Sequence, residues 1–114
     1  MPDNSPFEIP ALSAEQALMR QSQGAVLVDM RKPAARAASG NAMVGAEIRD
    51  PFTFSHDDPL TTSPLPLIVF CVHGHEVSQF GCALLLVHGR DACYVRGGFE
   101  ALVAASASLE DLPQ

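Results

Sequence analysis

Three short apolar runs stand out along the chain, each with the length of a buried strand. Ala25-Val-Leu-Val28 and Leu67-Ile-Val-Phe70 are unbroken, and Ala92-Cys-Tyr-Val95 is the third. Strands covered on both faces read as continuous hydrophobic stretches, whereas half-solvated strands alternate. A longer apolar stretch, Phe80-Gly-Cys-Ala-Leu-Leu-Leu-Val87, reads as a buried helix that begins after Ser78 and is capped by Gly89. Ser13-Ala-Glu-Gln16 has the form of a capping box and opens a helix to about Gln21, ended by Gly24. Pro33 suits the first turn of an alanine-rich helix to about Ala38, broken by Ser39-Gly-Asn41. Gly97-Gly98 turns the third strand into a last helix, Phe99 to about Ala105. Phe7 and Ile9 suggest a short edge strand, and Gly45 to Ile48 another. Residues 50–66 hold four prolines and read as loop with a helical turn.

Strands that alternate with helices form βα units. The expected fold is therefore α/β: a mostly parallel sheet with helices on both faces. A length of 114 residues suits one domain, 1–114, with its core at about 7–105. In such sheets ligands bind beyond the C-terminal ends of the strands. Two segments reach that position, Asp29-Met-Arg31 and the stretch that starts at Cys71.

Charge and composition narrow the functional classes. The formal charge is −6 and the seven basic residues are scattered, which argues against nucleic acid. The longest apolar run, Leu65 to Val72, is too short to span a membrane. The opening MPDNSPFEIP lacks the positive segment and apolar core of a signal peptide. Three cysteines with no C-x-x-C pair read as free thiols in a reducing cytoplasm.

Cys71 ends a buried strand, and a helix follows a few residues later. Backbone N–H groups of the intervening loop and the positive end of the helix both favour thiolate, the nucleophilic form. Gly74 lets that loop curl. From position alone Cys71 is either this nucleophile or a small buried apolar residue. Cys82 and Cys93 fall in a helix and a strand and are expected in the core. His73 and His75 complete a Cys-x-His-x-His pattern. Three ligands on one tight loop do not converge on a tetrahedral ion, so no metal is expected. The two histidines either shape the loop mouth and contact an anion or are solvated. Asp29 and Arg31 either form a structural ion pair or touch substrate. Glu76 suits the first turn of a helix.

Several of these segments together resemble the rhodanese family. Val28-Asp29-Met30-Arg31 is similar to its Asp-x-Arg motif, Gly45-Ala46 to its Gly-Ala, and Val69-Phe70-Cys71-Val-His-Gly74 to its Cys-x-x-Gly loop. Tyr94-Val-Arg-Gly-Gly-Phe-Glu-Ala-Leu102 is similar to its closing Gly-Gly-Phe signature. The matches run in family order over about residues 7–105. The resemblance implies a rhodanese-like three-layer sandwich and a sulfurtransferase that needs no cofactor. Cys71 would take a sulfane sulfur from a small donor such as thiosulfate. It would pass that sulfur to cyanide or to a thiol, either a low-molecular-weight thiol or a thioredoxin-like protein. The backbone at Val72, His73, Gly74, His75, Glu76 and Val77 would be the anion cradle, with Asp29 and Arg31 in support.

Three departures accompany the resemblance. Gly40-Asn-Ala-Met-Val-Gly45 replaces the typical Gly-His-Ile-Pro-Gly, and Leu102 replaces the usual tryptophan. Glu76 and Val77 stand at the fifth and sixth loop positions, where many active members carry basic or small hydroxyl residues. An acidic residue there opposes a dianionic donor. Phosphatase chemistry of the related type needs His-Cys and an arginine six residues on to clamp the oxygens. Here Phe70 and Val77 hold those positions. The alternative is a weakly catalytic rhodanese-like module that binds oxyanions or senses sulfur status. His-Gly-His-Glu-Val-Ser resembles such proteins linked to chromate resistance.

Overall fold

The computed structural model describes residues 9–74 and 76–112 of the chain. Its main sheet has five parallel strands. They are β1 (Ala11–Leu12), β2 (Val26–Asp29), β4 (Glu47–Ile48), β5 (Leu67–Phe70) and β6 (Ala92–Val95), in the order β1-β6-β5-β2-β4. The predicted runs at 25–28, 67–70 and 92–95 form its three inner strands, β2, β5 and β6. All four residues of β5 are buried, as a central strand with covered faces requires. A separate antiparallel pair joins β3 (Asn41–Met43) to β7 (Leu109–Asp111).

Four helices cover the sheet: α1 (Ala14–Ser22), α2 (Pro33–Ser39), α3 (Glu76–Val87) and α4 (Gly98–Ala104). The Ser13 capping box forms as expected, with Gln16 N–H donating to Ser13 Oγ and Ser13 N–H to Gln16 Oε1. Side chains alternate across the sheet. Leu27, Ile68, Phe70, Cys93 and Val95 point to one face and pack on α1 and α4 residues such as Ala17 and Leu102. Val28, Leu67, Val69 and Ala92 point to the other and pack on Cys82 and Leu85 of α3. This is the three-layer arrangement expected from the sequence.

The structure corrects several boundaries. Ile9 is not in a strand; the edge strand is Ala11–Leu12, and Phe7 lies outside the described residues. The strand expected over 45–48 is only Glu47–Ile48, because Gly45 turns the chain with φ of +80°. Helix α3 starts at Glu76, not after Ser78, so Glu76 and Val77 belong to its first turn. The helical turn within 50–66 is a 3-10 helix at Pro59–Thr62, capped by Asp58 Oδ1. Strands β3 and β7 were not expected.

The connection after β5 is held against the start of α4 by two glycines. A Cβ on Gly98 would lie 2.3 Å from the Cys71 carbonyl oxygen and 2.7 Å from Gly74 N. A Cβ on Gly74 would lie 2.5 Å from the Val95 carbonyl oxygen. Both residues also have positive φ, +59° and +76°. Gly98→Ala therefore combines backbone strain with a steric clash. Gly89 is the control, since its φ is +73° but nothing lies within 4 Å of its would-be Cβ. Urea unfolding should show Gly89→Ala costing about 1 kcal/mol from strain alone. Gly98→Ala should cost about 2–4 kcal/mol. Equal losses would show that the close approach is not a constraint.

Candidate active site

Alternation along β5 decides where the nucleophile candidate faces. Phe70 points toward α4, where its ring stacks on Phe99 at 6.3 Å. The next side chain, Cys71, turns to the α3 face, and its Sγ lies 3.2 Å from Ser78 Oγ. Only 6% of Cys71 is exposed, and that small area opens into a pocket of about 560 Å³. The loop contributes Val72 and His73 to the pocket wall, and α3 contributes Glu76, Val77 and Gln79. Lys32 and Ala35 close it from α2.

The loop is built around the needs of the helix behind it. The first N–H groups of a helix have no partner within it, and Gly97, at the N-cap of α4, has no side chain to offer. The loop supplies the acceptors instead. Phe99 N–H donates to the Cys71 carbonyl at 2.7 Å and Glu100 N–H to the Val72 carbonyl at 3.4 Å. A trans peptide sets its N–H opposite its C=O, so the N–H groups of Val72 and His73 point away from α4. Val72 N–H makes no hydrogen bond among the described residues. His73 Nδ1 meets Glu100 Oε2 at 3.2 Å, and Gln79 Nε2 donates to the Gly74 carbonyl at 3.3 Å. Gly74 is buried between these ties. His75 lies outside the described residues.

Asp29 and Arg31 leave β2 on the opposite face. Both are essentially unexposed. Arg31 Nε and Nη2 donate to the Asp29 carboxylate at 2.8–3.1 Å, and Arg31 Nη1 donates to Ser39 Oγ at 2.9 Å. Nη2 also reaches the Asn41 carbonyl at 2.8 Å. The guanidinium sits 3.9 Å from the centre of the Phe99 ring, a cation–π contact. Arg36 adds a second guanidinium 3.5 Å from Asp29 Oδ2. The pair thus joins β2, α2, β3 and α4 behind the loop, and it does not line the Cys71 pocket. It is a buried, bidentate ion pair.

Two residues around Cys71 were not singled out from the sequence. Lys32 directly follows the Asp-x-Arg segment and lines the pocket. Ser78, on the first turns of α3, is the side chain in contact with the sulfur. The loop spacing from Cys71 was the only available signal for Ser78. Beyond Lys32 and Glu76 the same wall borders a second depression, lined by Pro51, Phe52 and Phe80. Phe52 and Phe80 are 74% and 59% exposed.

The other two thiols are chemically quiet. Cys82 is fully buried, and burial, with the nearby Cys93 adding to it, pushes its pKa up to about 12. Burial also raises Cys93, against the opposing pull of Arg20. A raised pKa keeps a thiol protonated and unreactive below that value. No group of three or more potential metal-ligating side chains occurs among the described residues.

No family model matches the chain. Thiosulfate sulfurtransferase GlpE of Pseudomonas entomophila is 36% identical over 94 residues, which are 82% of this chain and 84% of the relative. The same enzyme of Pseudomonas putida is 37% identical over 95 residues, with the same coverage. Solved structures agree at the level of fold. A thiosulfate sulfurtransferase from Pseudomonas aeruginosa superposes with a TM-score of 0.75 at 16% identity, over 94% of this chain and 20% of that one. The rhodanese-like domain of an Anabaena protein gives 0.66 at 15%, covering 92% and 81%. A Rhodopseudomonas palustris protein described as a possible tyrosine phosphatase gives 0.73 at 17%, covering 96% and 99%. The parallel sheet with a cysteine loop at the end of its central strand defines a rhodanese-like domain. The chain belongs to the rhodanese-like sulfurtransferase family that includes GlpE.

Two outcomes follow from this geometry. Arg31→Met should leave Asp29 buried without its bidentate partner and cost about 3–5 kcal/mol in urea unfolding; a loss below 1 kcal/mol would show that Arg36 suffices. Alkylation of the native protein by iodoacetamide, followed by peptide mapping, should mark Cys71 and spare Cys82 and Cys93 at any pH up to about 9. The sign follows from the raised values of the two core thiols, which stay protonated over that range.

Proposed function

We propose that the protein moves a sulfane sulfur from a donor such as thiosulfate to a thiol through a persulfide on Cys71. The observation that carries this reading is the seat of Cys71. Its side chain opens into a pocket on the α3 side while its carbonyl is tied to α4 on the other. The Cys71 thiolate would attack the outer sulfur of the donor. The bond between the donor's two sulfurs breaks, and its electron pair leaves with sulfite. The Ser78 hydroxyl, which accepts from the thiol in the resting form, rotates to donate to the thiolate and to the persulfide. The Val72 N–H and the start of α3 add fixed positive ends to a site that must hold negative charge.

Support also comes from the relatives, which carry the name thiosulfate sulfurtransferase. Phosphatase chemistry finds no support in the loop. Val77 stands at the sixth position, and among the described residues no arginine lines the pocket. Glu76 lines the pocket with Cys71, so its carboxylate opposes an incoming dianion. Buried free thiols suit a reducing compartment, and we place the protein in the cytoplasm.

Intact-protein mass spectrometry after thiosulfate, with and without cyanide, tests the reading. The protein should gain the mass of one sulfur, mapped to Cys71, and lose it to cyanide. Cys71→Ser should abolish the gain with the fold intact. Cys82→Ala and Cys93→Ala should keep turnover, with a packing loss of about 1 kcal/mol. A protein that binds thiosulfate without acquiring sulfur would instead be the oxyanion-binding module. Glu76→Gln should raise kcat/KM for thiosulfate by up to about ten-fold at low salt, and less at high salt. An unchanged kcat/KM would place the carboxylate away from the donor.

A further inference from the structure

Lys32 is the one lysine of the chain, and it borders the Cys71 pocket. Nearby arginines are committed elsewhere: Arg31 and Arg36 to Asp29, and Arg49 to Asp58 and Glu47. Lys32 makes no ion pair and no side-chain hydrogen bond among the described residues. Glu76 faces the same space from α3 and is also unpaired among them. These two oppositely charged residues border both the pocket at Cys71 and the apolar depression beside it, and they form no ion pair with each other.

A small dianion is poorly matched to such a pocket, because Lys32 attracts what Glu76 repels. A molecule that carries both signs can satisfy both groups at once, and complementary charges select partners in this way. We infer that the sulfur acceptor is a zwitterionic aminothiol. Its carboxylate pairs with Lys32 and its ammonium with Glu76, while its sulfur faces Cys71. Ala35, Val72 and Val77 supply the apolar wall for its short carbon chain. This inference rests on the sulfurtransferase reading and specifies its acceptor. In the transfer step the acceptor thiolate attacks the outer sulfur of the Cys71 persulfide. The bond from that sulfur to Cys71 Sγ breaks, and its electron pair stays on Sγ as thiolate. A new sulfur–sulfur bond forms in the acceptor persulfide. The acceptor's thiol proton goes to solvent, and no outside oxidant or reductant is needed.

The test uses the full chain, loaded on Cys71 with thiosulfate, confirmed by mass and freed of excess donor. Single-turnover transfer is then timed to four thiols. Cysteine carries both charges, mercaptopropionate the carboxylate alone, cysteamine the ammonium alone, and mercaptoethanol neither. Each rate is expressed per thiolate, and ratios between variants for one thiol cancel its intrinsic reactivity. The wild type should favour cysteine over the other three. Lys32→Ala should slow cysteine and mercaptopropionate about three-fold relative to the other two thiols, the size expected of an exposed ion pair. Glu76→Gln should slow cysteine and cysteamine by a similar factor relative to the others. The exchanged pair, Lys32→Glu with Glu76→Lys, should regain much of the preference for cysteine, because a zwitterion can bind reversed. Variants that change all four rates alike would overturn the inference and leave the sulfurtransferase reading standing, as would a wild type indifferent to charge. A chain that never acquires sulfur would overturn both.

Discussion

Backbone meets backbone where the loop after β5 lies on the first turn of α4, and the rest of the site depends on that contact. Gly74 and Gly98 allow it because neither carries a Cβ. Once the two segments touch, the carbonyls of Cys71 and Val72 become the partners of α4's first N–H groups. That single choice orients two peptide planes. It also turns the N–H groups of Val72 and His73 away from α4, the side from which the proposed function would have them stabilise charge on sulfur. One edge of these peptides thus caps a helix, and under the proposed function the opposite edge holds the anion.

Charge is divided between the two faces of the sheet in the same way. Residues at successive strand positions point to opposite sides. Asp29 and Arg31 go to the α4 side, where burial demands that they pair with each other and with Ser39 and Asn41. A buried pair of this kind costs desolvation and returns its value in geometry, since it holds four elements in one arrangement. Lys32, one residue on, remains at the surface beside the pocket with no such partner. Three consecutive positions, Arg31, Lys32 and Pro33, therefore serve a buried lock, a pocket wall and a helix start.

The sheet was legible in the sequence because its inner strands are buried on both faces and carry no polar interruption. The Ser13 cap was legible for a different reason, because the capping box is a local device that needs no tertiary context. Strands β3 and β7, which were not legible, are three residues long, and β7 is exposed throughout. Such segments have neither hydrophobic length nor alternation to announce them. The start of α3 was placed late because Glu76 and Val77 suit either a loop or a first turn. Cys71 was legible from its strand end. Lys32 was not, since a lone lysine before a proline looks like any solvated helix start until the pocket is seen. Asp29 and Arg31 remained ambiguous for the opposite reason. Their proximity to the strand end was evident, but the face they occupy depends on the phase of the strand.

The fixed contact with α4 also settles which side of the pocket is free to vary. One wall is anchored through main-chain atoms, and the contact leaves no room for a Cβ at Gly74 or Gly98. The other is made by Lys32 and Ala35 at the start of α2, whose side chains enter no part of the loop's support. Sequence drift on that outer wall can reshape what is admitted without disturbing the seat of Cys71. Reactivity and selectivity are in this sense separately heritable, and related chains can diverge in what they recognise while retaining one chemistry.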